Sequence, residues 1–240
     1  MWERPLRRPP SDPRTYVEEV QLLLIRHGQT PANVRGEVAT RAPGPALTPL
    51  GERQAAVLPA ALEGRGIDAI FVSSLVRTHL TAAPLAGARG LQPVQLGGLA
   101  EIEAGDLEDR SDAESIDRYH TVFSAWAAGD KAEKMPGGPD GFAFFHRFDE
   151  AVRSIVASGA DTAVAISHGA AIRAWAGAHA ENVDDRFVRA HPLGNTGLVE
   201  LHGDFATGWT CVSWSSDPVG GDWLADRDAH DPTGERLLTA

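Results

Sequence analysis

Residues 22–30 read Leu-Leu-Leu-Ile-Arg-His-Gly-Gln-Thr, a run of apolar residues that stops at an arginine and a histidine. Four or more consecutive apolar residues followed by a glycine predict a buried strand, typical of a parallel sheet with helices on both faces. Ligands of such sheets bind beyond the carboxyl ends of the strands. Arg26 and His27 therefore stand where ligand chemistry is expected, although Arg-His-Gly by itself is also compatible with a chance strand ending.

The composition indicates a globular protein and argues against several kinds of partner. The chain has 240 residues, of which 42% are hydrophobic, and its formal net charge is -11. That charge argues against a nucleic acid or an anionic membrane as the partner. No apolar run approaches the roughly 20 residues that cross a bilayer, and no secretory signal is recognisable. Cys211 is the only cysteine, which excludes an internal disulfide and predicts a cytoplasmic protein.

Three further segments have the pattern of a strand that leads towards a charged residue. Residues 67–73 lead to Arg77, a short strand precedes Glu101, and residues 162–166 end at His168. Strands that alternate with helices form a sheet whose functional loops gather at one edge. We therefore expect two histidines, two arginines and a carboxylate to meet there. Phosphoryl transfer needs this set, because an imidazole can attack phosphorus, cations can balance the oxygen charges and an acid can protonate the leaving group.

The order of these segments predicts an α/β fold with three layers, α/β/α. The central sheet is expected to be mostly parallel, with an antiparallel edge strand from a closing hairpin over residues 198–202 and 209–214. The irregular, charged stretch at about 102–141 predicts a small helical cap insertion over the edge of the sheet.

The chain divides into three parts. Residues 1–18 are rich in proline and arginine and are expected to form a flexible leader. Residues 19–215 are expected to form a single domain that includes the cap insertion. Residues 216–240 are polar and rich in glycine and aspartate, which predicts a C-terminal tail with too little apolar content to fold over a pocket.

Six short motifs in a fixed order point to a known family. They cover about residues 22–201, and through them the chain resembles the histidine phosphatase superfamily, in its phosphoglycerate mutase-like branch. The motifs are RHGQTPAN at 26–33, LTPLGERQA at 47–55, SSLVRTHLTA at 73–82, LAEIEAG at 99–105, PGG at 136–138 and SHG at 167–169.

The resemblance implies a role for each matching residue. His27 would be the nucleophile that forms a phosphohistidine, and Arg26, Arg77 and His168 would bind the phosphoryl oxygens. Glu101 would be the proton donor and then the base that activates water. Three nearby carboxylates are alternatives to Glu101, but its position in the motif favours it; they are Glu103, Asp106 and Glu108.

The resemblance also implies supporting ligands and the absence of cofactors. Thr30, Asn33 and the backbone N–H of Gly169, at a helix N-terminus, would help to bind the phosphoryl group. Neither a metal nor another cofactor is implied, and the sequence has no dense cluster of metal-ligand residues. The expected partner is a small-molecule phosphate ester, and because many relatives self-associate, a homodimer is among the expected states.

The sequence favours a phosphatase over two alternatives. Mutases of this branch have a longer insertion than the span of 67 positions from Glu101 to His168, and a tail that shields the phosphoenzyme. A phosphoenzyme open to water favours hydrolysis. We therefore expect a metal-independent phosphatase that acts on a small organic phosphomonoester through a phosphohistidine on His27. The alternatives are a cofactor-dependent phosphoglycerate mutase and a non-catalytic phospho-ligand-binding protein.

The aromatic residues of the cap leave two interpretations of the substrate open. They can line an apolar mouth that suits a sizeable organic group, or they can simply pack the cap onto the sheet. The residues are Tyr119, Phe123, Trp126, Phe142 and Phe144.

Overall fold

The computed structural model describes residues 19–229 and 231–235, so the expected leader lies outside the described residues. Within them, six strands and seven α-helices follow one another along the chain. They are β1 (Val20–Arg26), α1 (Pro31–Arg35), α2 (Pro49–Ala61), β2 (Ala69–Val72), α3 (Val76–Arg89), β3 (Val94–Gln95), α4 (Ala113–Ala127), α5 (Gly141–Val156), β4 (Thr162–Ser167), α6 (Gly169–His179), α7 (Asp185–Ala190), β5 (Leu198–Asp204) and β6 (Gly208–Ser215).

The strands form one sheet in the order β3-β2-β4-β1-β5-β6. The first four are parallel neighbours, whereas β5 is antiparallel to both β1 and β6. The mostly parallel sheet and its antiparallel edge are confirmed. Strands β1 and β4 pair in register up to Arg26 and Ser167, so the residues that follow them, His27 and His168, leave the sheet side by side.

Both faces of the sheet are covered by helices, which explains why β1 is apolar at consecutive positions. Leu22 and Leu24 pack into the cluster that contains α4, α5 and α6. Leu23 and Ile25 point the other way, into the cluster that contains α2 and α3. Each buried side chain of this size stabilises the fold by about 1.5–3 kcal/mol. The predicted three-layer α/β/α architecture is therefore confirmed.

The cap insertion is packed into the core through its aromatic residues. Helix α4 belongs to the same apolar cluster as α5 and α6, and four of the five aromatics are fully buried, while Phe142 is 62% exposed. The first interpretation, an aromatic mouth, is thus wrong, and the packing interpretation is correct. The four buried residues are Tyr119, Phe123, Trp126 and Phe144.

The start of α2 fixes the loop that follows β1. The Thr48 hydroxyl accepts the N–H of Gly51 at 3.1 Å and so caps the helix. A Cβ on Gly51 would lie only 2.2 Å from the carbonyl oxygen of Gln29. Glycine is therefore required where the helix meets this loop, and the close contact holds the chain beside His27. In the described part of the chain, no helix is long and apolar enough to cross a membrane.

Candidate active site

His27 is buried at the end of β1 and has one ring nitrogen fixed by its own backbone. Its Nδ1 lies 2.8 Å from the carbonyl oxygen of Gly28. Because a carbonyl only accepts, Nδ1 carries the proton, and the neutral ring keeps a lone pair on Nε2. Burial, together with the charges of Arg77 and Arg26, lowers the pKa of His27 well below its usual 6.5. His27 is therefore a neutral imidazole at pH 7.

His168 is equally buried, but both of its ring nitrogens have partners. The Nη2 of Arg77 donates to Nδ1 at 3.1 Å, so the proton is on Nε2, which donates to the Ser73 hydroxyl at 2.8 Å. Burial and the charge of Arg77 lower the pKa of His168 well below 6.5. The two imidazole rings lie with their centroids 5.1 Å apart, so the structure brings the two predicted histidines together.

Arg26 and Arg77 place two buried cations beside these rings. Besides His168, Arg77 reaches the carbonyl oxygen of Ala39 at 3.0 Å through the same Nη2. Its Nε and Nη1, and the Nε of Arg26, have no partner among the residues with described positions. Burial, partly opposed by the charge of Glu101, lowers the pKa of Arg77 to about 10, so it stays charged at neutral pH. Two incompletely paired guanidinium groups of this kind can bind an anion.

Glu101 is buried at the N-terminus of α6, immediately beyond His168. Its Oε1 accepts the N–H of Ile102 at 2.9 Å and that of Ala171 at 2.8 Å, and its Oε2 accepts the N–H of Ala170 at 3.3 Å. Burial raises the pKa of Glu101, although these N–H groups and the charge of Arg77 act in the opposite direction. A carboxyl group with a raised pKa is suited to donate a proton.

Arg147, on α5, holds the Glu101 loop and was not identified in the sequence. Its guanidinium donates to the carbonyl oxygens of Gly98 and Ala100, both at 2.8 Å, and to that of Glu101 at 2.5 Å. These bonds orient the backbone that carries the acid. Ser73, the partner of His168, was also missed as a functional residue, although it lies in the SSLVR motif.

The three supporting residues predicted from the resemblance lie around the same space. Thr30 caps α1 and forms a reciprocal capping box with Asn33. Both line a small cavity with His27 and Arg77. Gly169 is the first residue of α6, and a Cβ there would come within 3.0 Å of the Arg26 Nε.

The C-terminal segment, residues 231–235, packs against this site, contrary to the expectation that the tail is too polar to do so. Asp231 forms an ion pair with the Nη2 of Arg26, and the Thr233 hydroxyl accepts from the same nitrogen at 2.8 Å. The expectation failed because the tail is held by polar and main-chain contacts rather than by apolar burial. The backbone carbonyl oxygen of Gly234, for example, accepts the N–H of Leu193 at 2.8 Å.

Two cavities of very different size are lined by the predicted site residues, one by His27 and Arg77 and the other by Glu101. The one at His27 has a volume of about 10 Å³ and is closed on one side by Thr233. The other, which we call the Glu101 chamber, has a volume of about 560 Å³. Its wall is mainly polar or backbone and includes Arg41, Ser74 and Glu103. The chamber can hold a small organic molecule, whereas the cavity at His27 has room for about one water.

Among the residues described, no three histidine, cysteine, aspartate or glutamate side chains are close enough to share a metal ion. The positive charges near His27 are those of Arg26 and Arg77.

The chain is similar in sequence to several known proteins. Residues 22–217 match the model of the histidine phosphatase superfamily, branch 1. A PE-PGRS family protein of Mycobacterium tuberculosis is 37% identical over 219 residues, which are 85% of this chain and 38% of that protein. A probable phosphoglycerate mutase of Yersinia enterocolitica is 38% identical over 91 residues, which are 38% of this chain and 42% of that protein. The chain thus spans less than half the length of these two relatives.

A solved structure extends the similarity over most of the fold. The mycobacterial glucosyl-3-phosphoglycerate phosphatase superimposes with a TM-score of 0.69 and 26% identity, over 83% of this chain and 100% of that one.

Proposed function

Because the chain belongs to the histidine phosphatase superfamily, we propose that it is a metal-independent phosphatase, which hydrolyses a small organic phosphomonoester through a phosphohistidine on His27. The observation that carries this proposal is a neutral imidazole whose Nε2 has no partner among the described residues, beside two buried, incompletely paired arginines.

The arginines supply the binding energy and the charge balance. A buried N–H group without a hydrogen-bond partner lowers stability by about 1–3 kcal/mol. Arg26 and Arg77 together have three such nitrogens without a partner among the described residues. The oxygens of a phosphoryl group would satisfy them. The same positive charges would stabilise the negative charge that spreads over the equatorial oxygens in the transition state.

In the first chemical step, the His27 Nε2 attacks phosphorus and the ester P–O bond breaks. Glu101 gives its proton to the leaving oxygen, so an alcohol departs and a carboxylate remains. The carbonyl oxygen of Gly28, which accepts from Nδ1 at 2.8 Å, stabilises the positive charge of the phosphorylated ring.

In the second step, the Glu101 carboxylate takes a proton from a water molecule while that water attacks phosphorus. The P–N bond breaks, inorganic phosphate forms, and the lone pair returns to His27 Nε2. Glu101 is again protonated, so the cycle closes without a further reactant.

The Glu101 chamber favours a polar leaving group. Arg41, Ser74 and Glu103 contribute a cation, a hydroxyl and a carboxylate to its wall, and none of the five cap aromatics is among the residues that line it. These groups suit a phosphate ester that carries hydroxyl or charged groups better than one with a large apolar body. We therefore propose a small hydrophilic phosphomonoester as the substrate.

The proposal is tested with the purified full chain in the presence of EDTA. We expect p-nitrophenyl phosphate and members of a panel of sugar and organic acid phosphates to be hydrolysed, with release of inorganic phosphate. His27→Ala should abolish this, while His146→Ala, a change at an exposed histidine, should not. The proposal is wrong if the EDTA-treated protein hydrolyses none of these compounds.

A phosphoglycerate mutase remains the second candidate, because Thr233 of the C-terminal segment lines the cavity at His27, and a segment that covers this cavity would shield a phosphoenzyme from water. One relative is also named as a probable phosphoglycerate mutase. Following 3-phosphoglycerate by ³¹P NMR separates the two reactions, since a mutase yields 2-phosphoglycerate without net phosphate release. A His27→Ala variant with every property of the wild type would instead indicate a non-catalytic phosphate-binding protein.

A further inference from the structure

Asp231 contacts two residues that are expected to bind the phosphoryl group. One carboxylate oxygen, Oδ2, pairs with the Nη2 of Arg26. The other oxygen, Oδ1, accepts from the Nδ2 of Asn33 at 3.1 Å. Arg26 is fully buried, so this ion pair is poorly screened by solvent. A carboxylate of the chain itself thus occupies donors that the proposed substrate needs.

The contact leaves Arg26 unable to bind a phosphoryl group with two parallel hydrogen bonds. Its Nη1 donates to the carbonyl oxygen of Leu193 at 2.9 Å, and its Nη2 serves Asp231 and Thr233. Only Nε is without a partner among the described residues. Because a bidentate arginine contact uses two neighbouring N–H groups, a phosphoryl oxygen can take Nη2 only if Asp231 releases it.

The size of the cavity beside His27 also indicates that the C-terminal segment must move before a phosphoryl group binds. Thr233 forms part of the wall of the cavity there, whose volume is about 10 Å³. A phosphoryl group, with four atoms heavier than hydrogen, does not fit into room for about one water. The backbone oxygen of Thr233 also lies over Gly169, 2.4 Å from the position that a Cβ would take. The segment must therefore shift before a phosphoryl group reaches His27.

We propose that Asp231 is an internal ligand of the phosphoryl site, whose carboxylate must leave Arg26 before an anion binds and thereby sets the affinity of the site for phosphate esters. The inference rests on the proposed function, since it takes a phosphoryl group as the competing anion. It adds an affinity-determining residue that lies outside the six sequence motifs.

The segment is held in a way that allows it to detach. Apart from the side-chain contacts of Asp231 and Thr233 described above, three main-chain carbonyl groups hold it: that of Pro232 accepts from His120, that of Gly234 from the Leu193 N–H, and that of Glu235 from Arg173 at 2.9 Å. The sequence Asp-Pro-Thr-Gly-Glu has no large apolar side chain, so release gives up little hydrophobic stabilisation. Opening is therefore a local event that leaves the sheet intact.

The first experiment measures the binding of inorganic phosphate to the full chain by isothermal titration calorimetry. Asp231→Asn keeps the shape of the side chain and removes its charge, so we expect phosphate to bind about tenfold more tightly. Asp228→Asn removes the same charge from an exposed position of the same tail and should change the dissociation constant less than twofold. Equal or weaker binding by Asp231→Asn overturns the proposal.

The second experiment follows the segment itself and remains informative if Asp231→Asn alters the fold. Hydrogen exchange of the wild-type chain is measured with and without orthovanadate. A bound anion normally protects the residues around it, but displacement of Asp231 predicts faster exchange in peptides that contain residues 231–235. Slower or unchanged exchange there, with vanadate bound, contradicts displacement.

These outcomes are distinguishable from failure of the proposed function. If neither the wild type nor Asp231→Asn hydrolyses any phosphate ester, yet the variant binds phosphate about tenfold more tightly, Asp231 is an internal ligand of a binding site and the catalytic proposal alone is wrong. If hydrolysis proceeds but phosphate affinity does not rise in the variant, the catalytic proposal stands and the inference about Asp231 is wrong.

Discussion

The ends of strands β1 and β4 have nearly equivalent positions in the sheet, yet the histidines that follow them have different hydrogen-bond partners. The strands are parallel neighbours in register, both histidines are buried, and the charge of Arg77 contributes to the lowered pKa of each. The difference lies in their hydrogen bonds. His27 is held through Nδ1 by the carbonyl of Gly28, whereas His168 engages Ser73 and Arg77 with both ring nitrogens.

Hydrogen-bond partners, rather than burial or position in the sheet, thus distinguish the two histidines. They suit His27 to the role of the proposed nucleophile and His168 to that of orienting its neighbours. Only His27 keeps a lone pair without a partner among the described residues. His168 fixes Arg77 and would touch a phosphoryl group only after giving up one of its two bonds. Both strand ends look alike in the sequence, since each is an apolar run followed by a histidine and a glycine.

The largest expected difference is between His27→Ala and His168→Ala. Loss of the nucleophile should lower kcat/KM by about 10⁴-fold or more, whereas loss of His168 should cost about 10²-fold because Arg77 is less well oriented. Alkaline quench with ³²P-labelled substrate checks the assignment. His168→Ala should still trap label on the protein and His27→Ala should not, and the reverse result would exchange the two roles.

Replacement of Glu101 tests the acid that lies beyond the β4 histidine. Glu101→Gln should slow phosphoryl transfer from an alkyl phosphate by about 10²–10⁴-fold, but transfer from p-nitrophenyl phosphate far less, because nitrophenolate leaves without a proton. Since the pKa of Glu101 is raised, wild-type transfer from alkyl phosphates should decline as pH rises above that pKa, and Glu101→Gln should lack this dependence.

Glu103→Gln is the matched control for this variant, because Glu103 lies in the wall of the same chamber. It should keep the dependence on the leaving group and on pH. If Glu103→Gln lost its dependence on the leaving group and on pH, Glu103 rather than Glu101 would be the proton donor. Rapid-quench measurement of the burst phase gives the rate of transfer without the later hydrolysis step.

A smaller effect is expected from Ser73→Ala, which removes the acceptor for the Nε2 proton of His168. We expect kcat to fall about tenfold, with a shift of the His168 tautomer visible by ¹⁵N NMR, and recovery of both in Ser73→Thr. A fall in activity with an unchanged tautomer would show that the serine does not act through His168.

The smallest expected effect is on stability. Both histidines have a folded-state pKa below 6.5, so at acidic pH these two side chains bind more protons in the unfolded chain than in the folded one. The free energy of unfolding is therefore highest above pH 6.5 and falls as the pH is lowered. The loss should approach about 1.4 kcal/mol per pH unit for each histidine. Tm measured from pH 8 to 5 should fall less steeply in His168→Asn than in the wild type, while the exposed control His146→Asn should follow the wild type. Equal slopes in all three would contradict the depressed pKa.

The sequence predicted the sheet and the convergence of the five main site residues because each depends on a local pattern. Because β1 and β4 are buried on both faces, each is a continuous apolar run. The polar site residues come at or after the ends of strands. The glycine of the LTPLG motif is explained by the Gln29 carbonyl oxygen, which would lie only 2.2 Å from a Cβ at position 51. The assignment of chemical roles to these residues stays a prediction.

The contacts of the C-terminal segment were not predictable in the same way. Thr233 lies 207 positions from Arg26, and the tethers of the segment use backbone carbonyls, which every residue has. Arg147 was missed for a related reason, since its three acceptors are also backbone oxygens and it lies on a helix whose pattern indicates core packing. The turn-forming sequence Asp-Pro-Thr-Gly at residues 231–234 was a signal that this part of the tail is ordered.

The wall of the Glu101 chamber comes from loops that are separate from the strand ends carrying the two imidazoles. Arg41, Ser74 and Glu103 can therefore vary while the sheet and the two histidines at its strand ends stay in place. A fold whose chamber wall can vary while its sheet stays constant is well suited to directed evolution. Saturation libraries confined to those three positions should diversify the range of esters accepted, at little risk to folding.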